Sequence, residues 1–454
     1  MVNLKFTVNE IINKISKKKL SLEELINEIY RRIDFFKDNN CWNYIVPYEE
    51  NLRLVKQLAK KDKNNLPLLG VPFSIKDNIH IKNIPTTASC NNLNFIPNET
   101  SSVVDYLISL GAIFIGKNNM DEFATGLVGT RCINHPYNTF DKQYIPGGSS
   151  SGSAVCVANG LVAFSLGSDT GGSGRVPASL NNIVGFKPTP GLINSDGMVY
   201  ANQSFDCIPI FANNCADVEV ILNHILKLKK HEIHSKPINL LLNNDISFKN
   251  ISINIPDDKY LNFFGDQLSE ISFNKTVIKL KQSGTKINKI DFSLFLEAGE
   301  MVFEGPILAE RLSSINSYFP NNEIKVSKVI ETIINKASKF SALKLYETLH
   351  RIALIKLQIN NFINDNEFLV VPTTGTIYKI KEVQNNPINL NKNMGYYTYF
   401  ANLLELSGLA IPSGMRPDNL PFGICIYGKS GMDLNLLKLG KEWEAINKLE
   451  ETAL

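Results

Sequence analysis

The apolar positions of this chain follow two alternating patterns. Some recur every three or four residues, as on one face of a helix, and others form short continuous runs, as in a buried strand. In about the first quarter of the chain they predict helices at Val8–Ser16, Leu22–Phe36, Glu49–Lys60 and Ser101–Leu110, and strands at Leu68–Asp77 and Ala112–Gly116. Helices that alternate with apolar strands are typical of an α/β fold, in which helices cover both faces of a sheet.

The rest of the chain is less regular. A loop rich in Asn, Gly and Thr is predicted over Lys117–Ile145, and a loop of this length inside a domain is often functional. Weak periodicity over Lys236–Asn288 predicts a peripheral part. The later patterns predict helices at Asp217–Lys230, Ile307–Ser314 and Leu434–Lys448, and a helix-rich stretch over Ser327–Asn364. They also predict strands at Glu367–Pro372 and Leu420–Tyr427, and a long loop from Pro372 to Met394.

The composition is that of one large globular protein. The chain has 454 residues, of which 44% are hydrophobic and 20% charged, and it shows no internal repeat and no clear linker. We therefore expect a single domain over 1–454, with a helical N-terminal part (about 1–65), a catalytic core (about 66–215) and a variable region (about 230–290). No C-terminal accessory domain is expected.

Charge and apolar runs exclude several classes of protein. A net charge of +3 is small for this length, so no basic surface for nucleic acid is expected. No apolar run reaches the roughly 18 residues of a membrane span, and the N-terminus lacks the apolar core of a signal peptide. The seven cysteines form no C-x-x-C pair, which fits reduced thiols in a cytoplasmic protein.

Metal-binding motifs are missing from the sequence. The six histidines form no H-E-x-x-H motif, and His231 and His234, three residues apart in a Lys-rich stretch, fit a solvated surface. We interpret His80 as a surface or supporting imidazole. A Ser-His-Asp triad stays open, because the order of its members along the chain differs between folds. No metal ion and no cofactor are expected.

Two glycine–serine clusters dominate the stretch Pro146–Thr189. The first is Gly147–Ser153 and the second Gly171–Gly174, and the apolar piece between them predicts a short helix and then a buried strand. Glycine lets a ligand come close to the backbone, so such loops can present hydroxyls and free N–H groups to a reacting centre. Either cluster alone also fits a plain loop. Gly148–Gly152 matches G-x-S-x-G by letters but follows a loop rather than a strand, and neither cluster ends as a phosphate-binding loop does.

Lys76 is the candidate base for these serines. A serine hydroxyl is a weak nucleophile and needs a neighbouring base, and a lysine can act as one only when it is neutral. Moving the lysine pKa from about 10.4 to near 7 costs about 4–5 kcal/mol, which burial and nearby hydroxyls can supply. The end of an apolar strand suits this role, although a lysine there also fits a side chain that extends to the surface.

Together these segments resemble the amidase signature family. The matching segments are Gly147–Ser153, Gly167–Ser173 and Ile75–Asp77, and the similarity runs from about Ser21 to the C-terminus. The resemblance implies a mixed sheet between layers of helices. It also implies a role for each of several residues: Ser173 as nucleophile, Ser149 as a bridging serine on a cis peptide bond, Lys76 as base, and the backbone N–H groups of Thr170, Gly171, Gly172 and Ser173 as the oxyanion hole.

Within this family the chain is most similar to the allophanate hydrolases. The matching segments are Phe123–Arg131, Ser173–Ala178, Ser204–Cys207, Phe303–Pro306, Ala309–Arg311 and Thr376–Tyr378. The resemblance implies ammonia release from allophanate, a small anion of urea degradation, with Arg311 binding its carboxylate and Gly126 lining the pocket. An alternative is that Arg311, on its predicted helix, pairs with a surface glutamate.

Two departures from the family pattern affect these expectations. Phe303 stands where the family usually has tyrosine, and the missing hydrogen bond to a charged group is worth roughly 1.5–3 kcal/mol. The chain also ends soon after the last predicted helix, so it is expected to carry out the amidase step alone. No urea carboxylase module is seen, and only a functional link to one is expected. A homodimer is the expected assembly.

Two other functions fit parts of the same pattern. The amidase component of the tRNA-dependent Asp/Glu amidotransferase, which makes ammonia from glutamine, would share Lys76, Ser149 and Ser173. Its members usually read Met-Gly-Ser-Ser where this chain has Thr125–Val128, which argues against it. A non-catalytic scaffold with the same fold is the second alternative.

Overall fold

A computed structural model describes residues 6–93, 95–228, 238–243, 245–319 and 323–447. In these residues eleven strands form one mixed sheet, in the order β1-β3-β2-β4-β6-β5-β10-β11-β9-β7-β8. The strands are β1 Trp42–Ile45, β2 Pro72–Lys76, β3 Ile113–Asn118, β4 Phe164–Leu166, β5 Val184–Lys187, β6 Ile210–Ala212, β7 Ser252–Pro256, β8 Lys286–Ile290, β9 Glu367–Pro372, β10 Ser407–Met415 and β11 Pro421–Gly428. The predicted mixed α/β fold is confirmed.

Sixteen α-helices within the described ranges surround this sheet. They are α1 Val8–Ser16, α2 Leu22–Phe35, α3 Tyr48–Leu58, α4 Ser102–Ser109, α5 Ser151–Ala158, α6 Val176–Leu180, α7 Cys215–Ile225, α8 Gln267–Gln282, α9 Ser293–Glu304, α10 Leu308–Asn316, α11 Lys328–Ile334, α12 Ala342–Ile359, α13 Ile380–Asn385, α14 Asn389–Met394, α15 Phe400–Leu403 and α16 Asp433–Asn447. None of these helices has both the length and the apolar character that crossing a lipid bilayer requires.

Local sequence accounts for several helix ends. The Ser21 hydroxyl accepts from the Glu24 backbone N–H at 3.1 Å, and the Glu24 carboxylate accepts from the Ser21 N–H at 2.9 Å. This is the predicted capping box, and it holds the start of α2. Gly111, just after α4, takes φ +93°, the left-handed conformation that ends many helices.

Apolar side chains alternate along the central strands because both faces of the sheet are buried. On β9, Phe368 and Val370 join the largest core cluster, whereas Leu369 and Val371 join a second cluster on the opposite face. Strand β11 repeats this alternation with its own residues. A strand buried on both faces reads as a continuous apolar run, which is why the sequence predicts β9 and β11.

Three parts of the prediction were less accurate. The stretch from Pro372 to Met394 is not one loop, because it contains α13 and α14. Strand β10 was not predicted. The weakly periodic region Lys236–Asn288 contributes β7, α8 and most of β8 to one edge of the sheet. The pair His231 and His234 lies outside the described residues.

Strand direction brings the candidate site together. Strand β2 pairs in parallel with both β3 and β4, so the carboxyl ends of all three lie at one edge. Lys76 is the last residue of β2, and the second glycine–serine cluster follows β4. In sheets of this kind, ligands bind beyond the carboxyl ends of the strands.

Candidate active site

Lys76, Ser149 and Ser173 form a continuous row. Lys76 Nζ lies 2.6 Å from Ser149 Oγ, and Ser149 Oγ lies 2.9 Å from Ser173 Oγ. Lys76 and Ser149 are fully buried, and Ser173 is 3% exposed. Within the described residues no histidine hydrogen-bonds to either serine. The spacing allows a proton to pass from Ser173 to Lys76 through Ser149.

Burial changes the protonation of Lys76. Removal from water lowers the pKa of its ammonium to about 7, and this effect outweighs the opposing influence of the nearby carboxylates of Asp121, Asp206 and Asp169. Ser168 also contacts the amine, with its Oγ 2.8 Å from Nζ. Near neutral pH a substantial fraction of Lys76 is therefore neutral and able to accept a proton.

Ser149 sits immediately before α5, at the first glycine–serine cluster. The Gly148–Ser149 peptide bond is cis, as the resemblance implied. The Ser149 carbonyl accepts from the Asp121 backbone N–H at 3.0 Å, which ties this turn to the loop that follows β3. The loop between β3 and α5, predicted to be functional, thus contacts Ser149, the predicted bridging serine.

The loop that leads to Ser173 presents backbone donors. Gly172 N–H donates to the Asp169 carboxylate at 2.9 Å, so it is engaged inside the protein. Three of the four predicted oxyanion donors have no partner among the described residues: the N–H groups of Thr170, Gly171 and Ser173. These N–H groups remain able to donate to an oxygen beside Ser173.

An ion pair beneath this loop fixes its shape. Asp169 pairs with Arg175 at 2.7 Å, and both side chains are fully buried. The second Asp169 oxygen accepts from Gly174 N–H at 2.7 Å, and Arg175 also donates to the Tyr427 hydroxyl at 2.7 Å. Both residues belong to the motifs that carry the family resemblance, but the sequence alone gave them no role. The available signal was an acid and an arginine inside a glycine-rich motif.

Arg311, the predicted carboxylate-binding residue, is fully buried. Its guanidinium donates to Asn202 Oδ1 at 3.0 and 3.3 Å and to Thr125 Oγ1 at 3.3 Å. The neighbouring Glu310 instead accepts from Ser204, at 2.7 and 2.8 Å. No carboxylate among the described residues lies within ion-pair distance of Arg311. The alternative that Arg311 pairs with a surface glutamate is therefore wrong.

Asp206 links the surroundings of Arg311 to the loop Thr170–Ser173, which carries the predicted oxyanion donors and is called the oxyanion loop below. Its carboxyl accepts from the Thr170 hydroxyl at 2.5 Å and from the backbone N–H groups of Ala201 and Asn202 at 2.7 and 3.0 Å. Burial raises the pKa of Asp206 to about 7. A partly neutral Asp206 leaves the charge of Arg311 only partly compensated.

Aromatic rings form the wall between Arg311 and a neighbouring cavity. The Phe303 ring lies 4.9 Å from the Arg311 guanidinium carbon and 4.5 Å from the ring of Tyr399, centroid to centroid. The Tyr399 hydroxyl is engaged by Asn391, so it does not replace the hydroxyl that Phe303 lacks. Gly126 is buried, and a Cβ there would contact Asp121 and Arg131.

The other candidate residues play supporting parts. His80 is buried rather than on the surface, and its Nδ1 lies 3.1 Å from Thr86 Oγ1. Across the described ranges, no three His, Cys, Asp or Glu side chains are grouped so as to hold a metal ion. All seven cysteines are free thiols.

This fold, with a buried lysine joined to two serines beside a glycine-rich loop, is that of a class of enzymes that hydrolyse amides. The chain belongs to the amidase family. The family model, described as Amidase, matches residues 24–437.

Curated relatives of two kinds are similar to the chain. The urea amidolyase of Saccharomyces cerevisiae is 36% identical over 413 residues, which cover 89% of this chain but 22% of that protein. This chain thus spans about a fifth of the length of the curated urea amidolyases it matches. A glutamyl-tRNA(Gln) amidotransferase subunit from a Sulfurihydrogenibium species is 32% identical, with 84% of each chain covered.

Solved structures point to the same family. An allophanate hydrolase of Kluyveromyces lactis superimposes with a TM-score of 0.90 at 35% identity, covering 99% of this chain and 74% of that one. The urea amidolyase of the same yeast gives a TM-score of 0.89 at 35% identity, with 98% of this chain and 27% of that chain covered.

Proposed function

We propose that this chain hydrolyses allophanate and releases ammonia, as an amidase of urea degradation. The names of two similar proteins, an allophanate hydrolase and a urea amidolyase, support this substrate. The observation that carries the proposal is the charge of Arg311, which is buried without a carboxylate partner among the described residues. A buried charge is stable only when it is compensated, and the carboxylate of a small anionic substrate provides that compensation.

The environment of Arg311 also suits a planar carboxylate. Its guanidinium is held by Asn202 and Thr125, and Phe303 covers one face of it. A guanidinium held in this way can donate two parallel hydrogen bonds to a carboxylate. Allophanate carries its carboxylate at one end and a primary amide at the other, so binding of the first end orients the second toward Ser173.

The first half of the reaction forms an acyl-enzyme. Neutral Lys76 takes a proton from Ser149, which takes the proton of Ser173, and Ser173 Oγ bonds to the amide carbon. The carbonyl oxygen becomes an oxyanion that backbone N–H groups of the loop Thr170–Ser173 stabilise. The carbon–nitrogen bond then breaks, and the leaving nitrogen takes a proton back from the same row and departs as ammonia.

The second half restores the enzyme. A water molecule gives its proton to the row of Ser149 and Lys76, and its oxygen bonds to the acyl carbon. The bond to Ser173 Oγ breaks, and Ser173 regains its proton. Allophanate and water are thereby converted to ammonia and an N-carboxycarbamate, and no electron transfer and no cofactor are needed.

Substitution of Arg311 tests the substrate assignment. Arg311→Ala is expected to lower kcat/KM for allophanate by about ten- to a hundredfold, because a hydrogen bond to a charged group is worth roughly 1.5–3 kcal/mol. A neutral amide such as propionamide does not use that contact, so its hydrolysis should change far less. Equal losses on both substrates would assign Arg311 a purely structural role and remove the support for an anionic substrate.

A second candidate function is the release of ammonia from glutamine, as in an amidotransferase. The observation that favours it is the similarity to an amidotransferase subunit that is 32% identical to this chain. Thr125–Val128 argues against it on the family pattern. Glutamine is therefore assayed beside allophanate, and ammonia from glutamine alone would favour the amidotransferase function.

We propose a homodimer that forms through α12. One face of this helix is apolar and exposed, with Leu343, Tyr346, Leu354 and Leu357 between 54% and 71% exposed. These residues are placed symmetrically about His350, so in an antiparallel pair Leu343 of one copy faces Leu357 of the other, and Tyr346 faces Leu354. Such self-complementarity is what a two-fold interface requires.

We also propose a cytoplasmic location and a functional link to urea carboxylase. The free thiols are compatible with a cytoplasmic location. The urea amidolyases that the chain resembles are several times longer than the aligned part. A functional link to urea carboxylase, which would supply allophanate, follows from the proposed substrate.

A further inference from the structure

Besides Arg311 and Arg175, a further buried guanidinium lies close to the site, and the proposed mechanism does not use it. Arg131 is 8% exposed and lies in the same loop as Thr125, between β3 and α5. It donates through Nη1 to the Thr125 carbonyl at 2.7 Å and through Nη2 to the Pro387 carbonyl at 2.5 Å. Its Nε–H is buried and has no hydrogen-bond partner among the described residues. Both partners are neutral carbonyls, so its charge is not compensated by an ion pair.

The contrast with Arg175 shows how unusual this is. Arg175 is also buried, but Asp169 pairs with it at 2.7 Å. The carboxylate beside Arg131, that of Asp121, is occupied by the backbone N–H groups of Gly129 and Arg131 itself, at 3.0 and 2.8 Å. A buried cation with a free donor and no carboxylate within ion-pair distance is the pattern of a site that binds an anion.

Arg131 lines a cavity large enough to hold such an anion. The cavity has a volume of about 270 Å³. Phe264, Leu296 and Ile388 form part of its apolar wall. Four charged residues also line it and pair with each other, Lys336 with Glu304 at 3.1 Å and Lys392 with Glu300 at 3.7 Å. Among the residues that line it, Arg131 is therefore the cation without a carboxylate partner.

The aromatic wall separates this cavity from the reacting groups. Phe303 and Tyr399 line the cavity, and a Cβ placed on Gly171 of the oxyanion loop would contact both rings, at 3.4 and 2.9 Å. The Arg311 guanidinium lies against the Phe303 ring. Thr125 connects the two arginines, since its carbonyl accepts from Arg131 and its hydroxyl from Arg311. Both guanidinium groups thus donate hydrogen bonds to Thr125, and Phe303 borders both sites.

We propose that Arg131 and the cavity beside it form a second binding site for a small carboxylate, separate from the Arg311 site. An anionic substrate binds first to Arg131 and passes to Arg311 when the Phe303 ring moves aside. This inference rests on the proposed anionic substrate and adds a route by which that substrate reaches Arg311. It assigns Arg131 the recruitment of the substrate, and it leaves the chemical step to the row of Lys76, Ser149 and Ser173.

Binding without turnover provides the first test. The probe is malonamate, which has a methylene group in place of the central nitrogen of allophanate, and every variant carries Ser173→Ala to prevent turnover. By isothermal titration calorimetry, the Arg311→Gln variant should still bind malonamate, and adding Arg131→Gln should weaken Kd at least tenfold. The proposal is overturned if the folded Arg311→Gln variant binds no malonamate, or if Arg131→Gln leaves Kd unchanged.

A charge introduced into the cavity wall provides a test that keeps both arginines. Ile388→Glu places a carboxylate in the cavity that can pair with Arg131, and Ile388→Gln is the matched variant of nearly the same shape. The ratio of kcat/KM for allophanate to that for propionamide should be at least tenfold lower in Ile388→Glu than in Ile388→Gln. Equal ratios overturn the second site.

Failure of the proposed function can be told apart from failure of this inference. A wild-type chain that releases no ammonia from allophanate contradicts the proposed substrate. Malonamate binding needs no turnover, so it still decides whether Arg131 forms an anion site.

Discussion

Lys76 shows at the scale of one residue how burial creates reactivity. Its amine is fully enclosed and touches the hydroxyls of Ser149 and Ser168. In water a lysine would be protonated at neutral pH, whereas here burial lowers the pKa to about 7. The energy for this shift comes from the folded surroundings, which exclude water from the amine.

The first prediction concerns pH. The base must be neutral, and the lowered pKa of Lys76 means that the neutral fraction grows as pH rises through about 7. The value of kcat/KM should therefore rise with pH through that region and level off above it. Asp206 titrates in the same range, so Asp206→Asn serves to separate its contribution. A flat profile from about pH 6 to 9, with chemistry rate-limiting, would exclude Lys76 as the titrating base.

The second prediction concerns Phe303. Its ring packs against Arg311 and Tyr399 without offering a hydrogen bond. Phe303→Tyr adds a hydroxyl beside the proposed carboxylate site, so kcat/KM for allophanate should be kept or should rise, by about tenfold if the new bond reaches the anion. Steady-state kinetics measure this. A fall of tenfold or more, with unfolding unchanged, would mean that the site is shaped for the phenyl ring.

At the scale of elements, the oxyanion loop depends on backbone shape. Gly172 has φ +141°, a conformation that side chains rarely adopt, and a Cβ there would collide with Thr398. Thr398 in turn donates to the Gly171 carbonyl at 2.8 Å. The glycine therefore allows the loop to lie close to α15 and its preceding turn, while Asp169 holds it from the other side.

The third prediction follows from this geometry. Gly172→Ala should lower kcat by about a hundredfold or more, because displacement of one oxyanion donor costs about that much. Gly414→Ala is the matched control, since Gly414 has φ +126° but open space around it. The control should lose some stability, measured by thermal unfolding, and keep its kcat. Equal effects on kcat would show that backbone strain alone, and not the loop position, explains the loss.

Elements differed in how well the sequence predicted them. Strand β9 and helix α2 were predicted because each has a strong pattern and, for α2, a capping box. Strand β10 contains Gly408, Pro412 and Gly414, which weaken a strand pattern, and only pairing with β5 and β11 makes it a strand. Helices α13 and α14 are six residues each, too short to show a period.

The residues of the candidate site also differed in how well the sequence predicted them. The lysine and the serines stand in motifs that sequence alone can match, and the structure places them in one row. Arg131, Asn202 and Asp206 could not be given roles, because their contacts join segments that are far apart in the sequence. The lack of a carboxylate partner for a buried arginine is a property of three-dimensional packing, which no local pattern reports.

At the scale of the whole molecule, the exposed apolar face of α12 is the surface that we propose as the dimer interface. The opposite face of the helix packs Ile352, Ile355 and Ile359 into the core. Isolated exposed apolar residues are common on protein surfaces, whereas the row from Leu343 to Leu357 on one face of this helix is the surface through which we propose that the dimer forms.

The fourth prediction tests the proposed dimer. The double substitution Tyr346→Glu and Leu357→Glu should convert a dimer to a monomer, as measured by light scattering after size-exclusion chromatography, because charges would be buried at the interface. Phe35→Glu, at a similarly exposed apolar position on α2, is the control and should leave the mass unchanged. A wild-type chain that is monomeric at micromolar concentration would contradict the interface.

The central claim is that Ser173 of this chain cleaves the amide of allophanate. Its most direct test is the initial rate of ammonia release by the purified chain, with allophanate, glutamine and propionamide assayed side by side, and with Ser173→Ala as the matched variant. We expect rapid release from allophanate by the wild-type chain, little from the other two substrates, and none from folded Ser173→Ala. Wild-type release from glutamine but not allophanate, or full activity in Ser173→Ala, would contradict it.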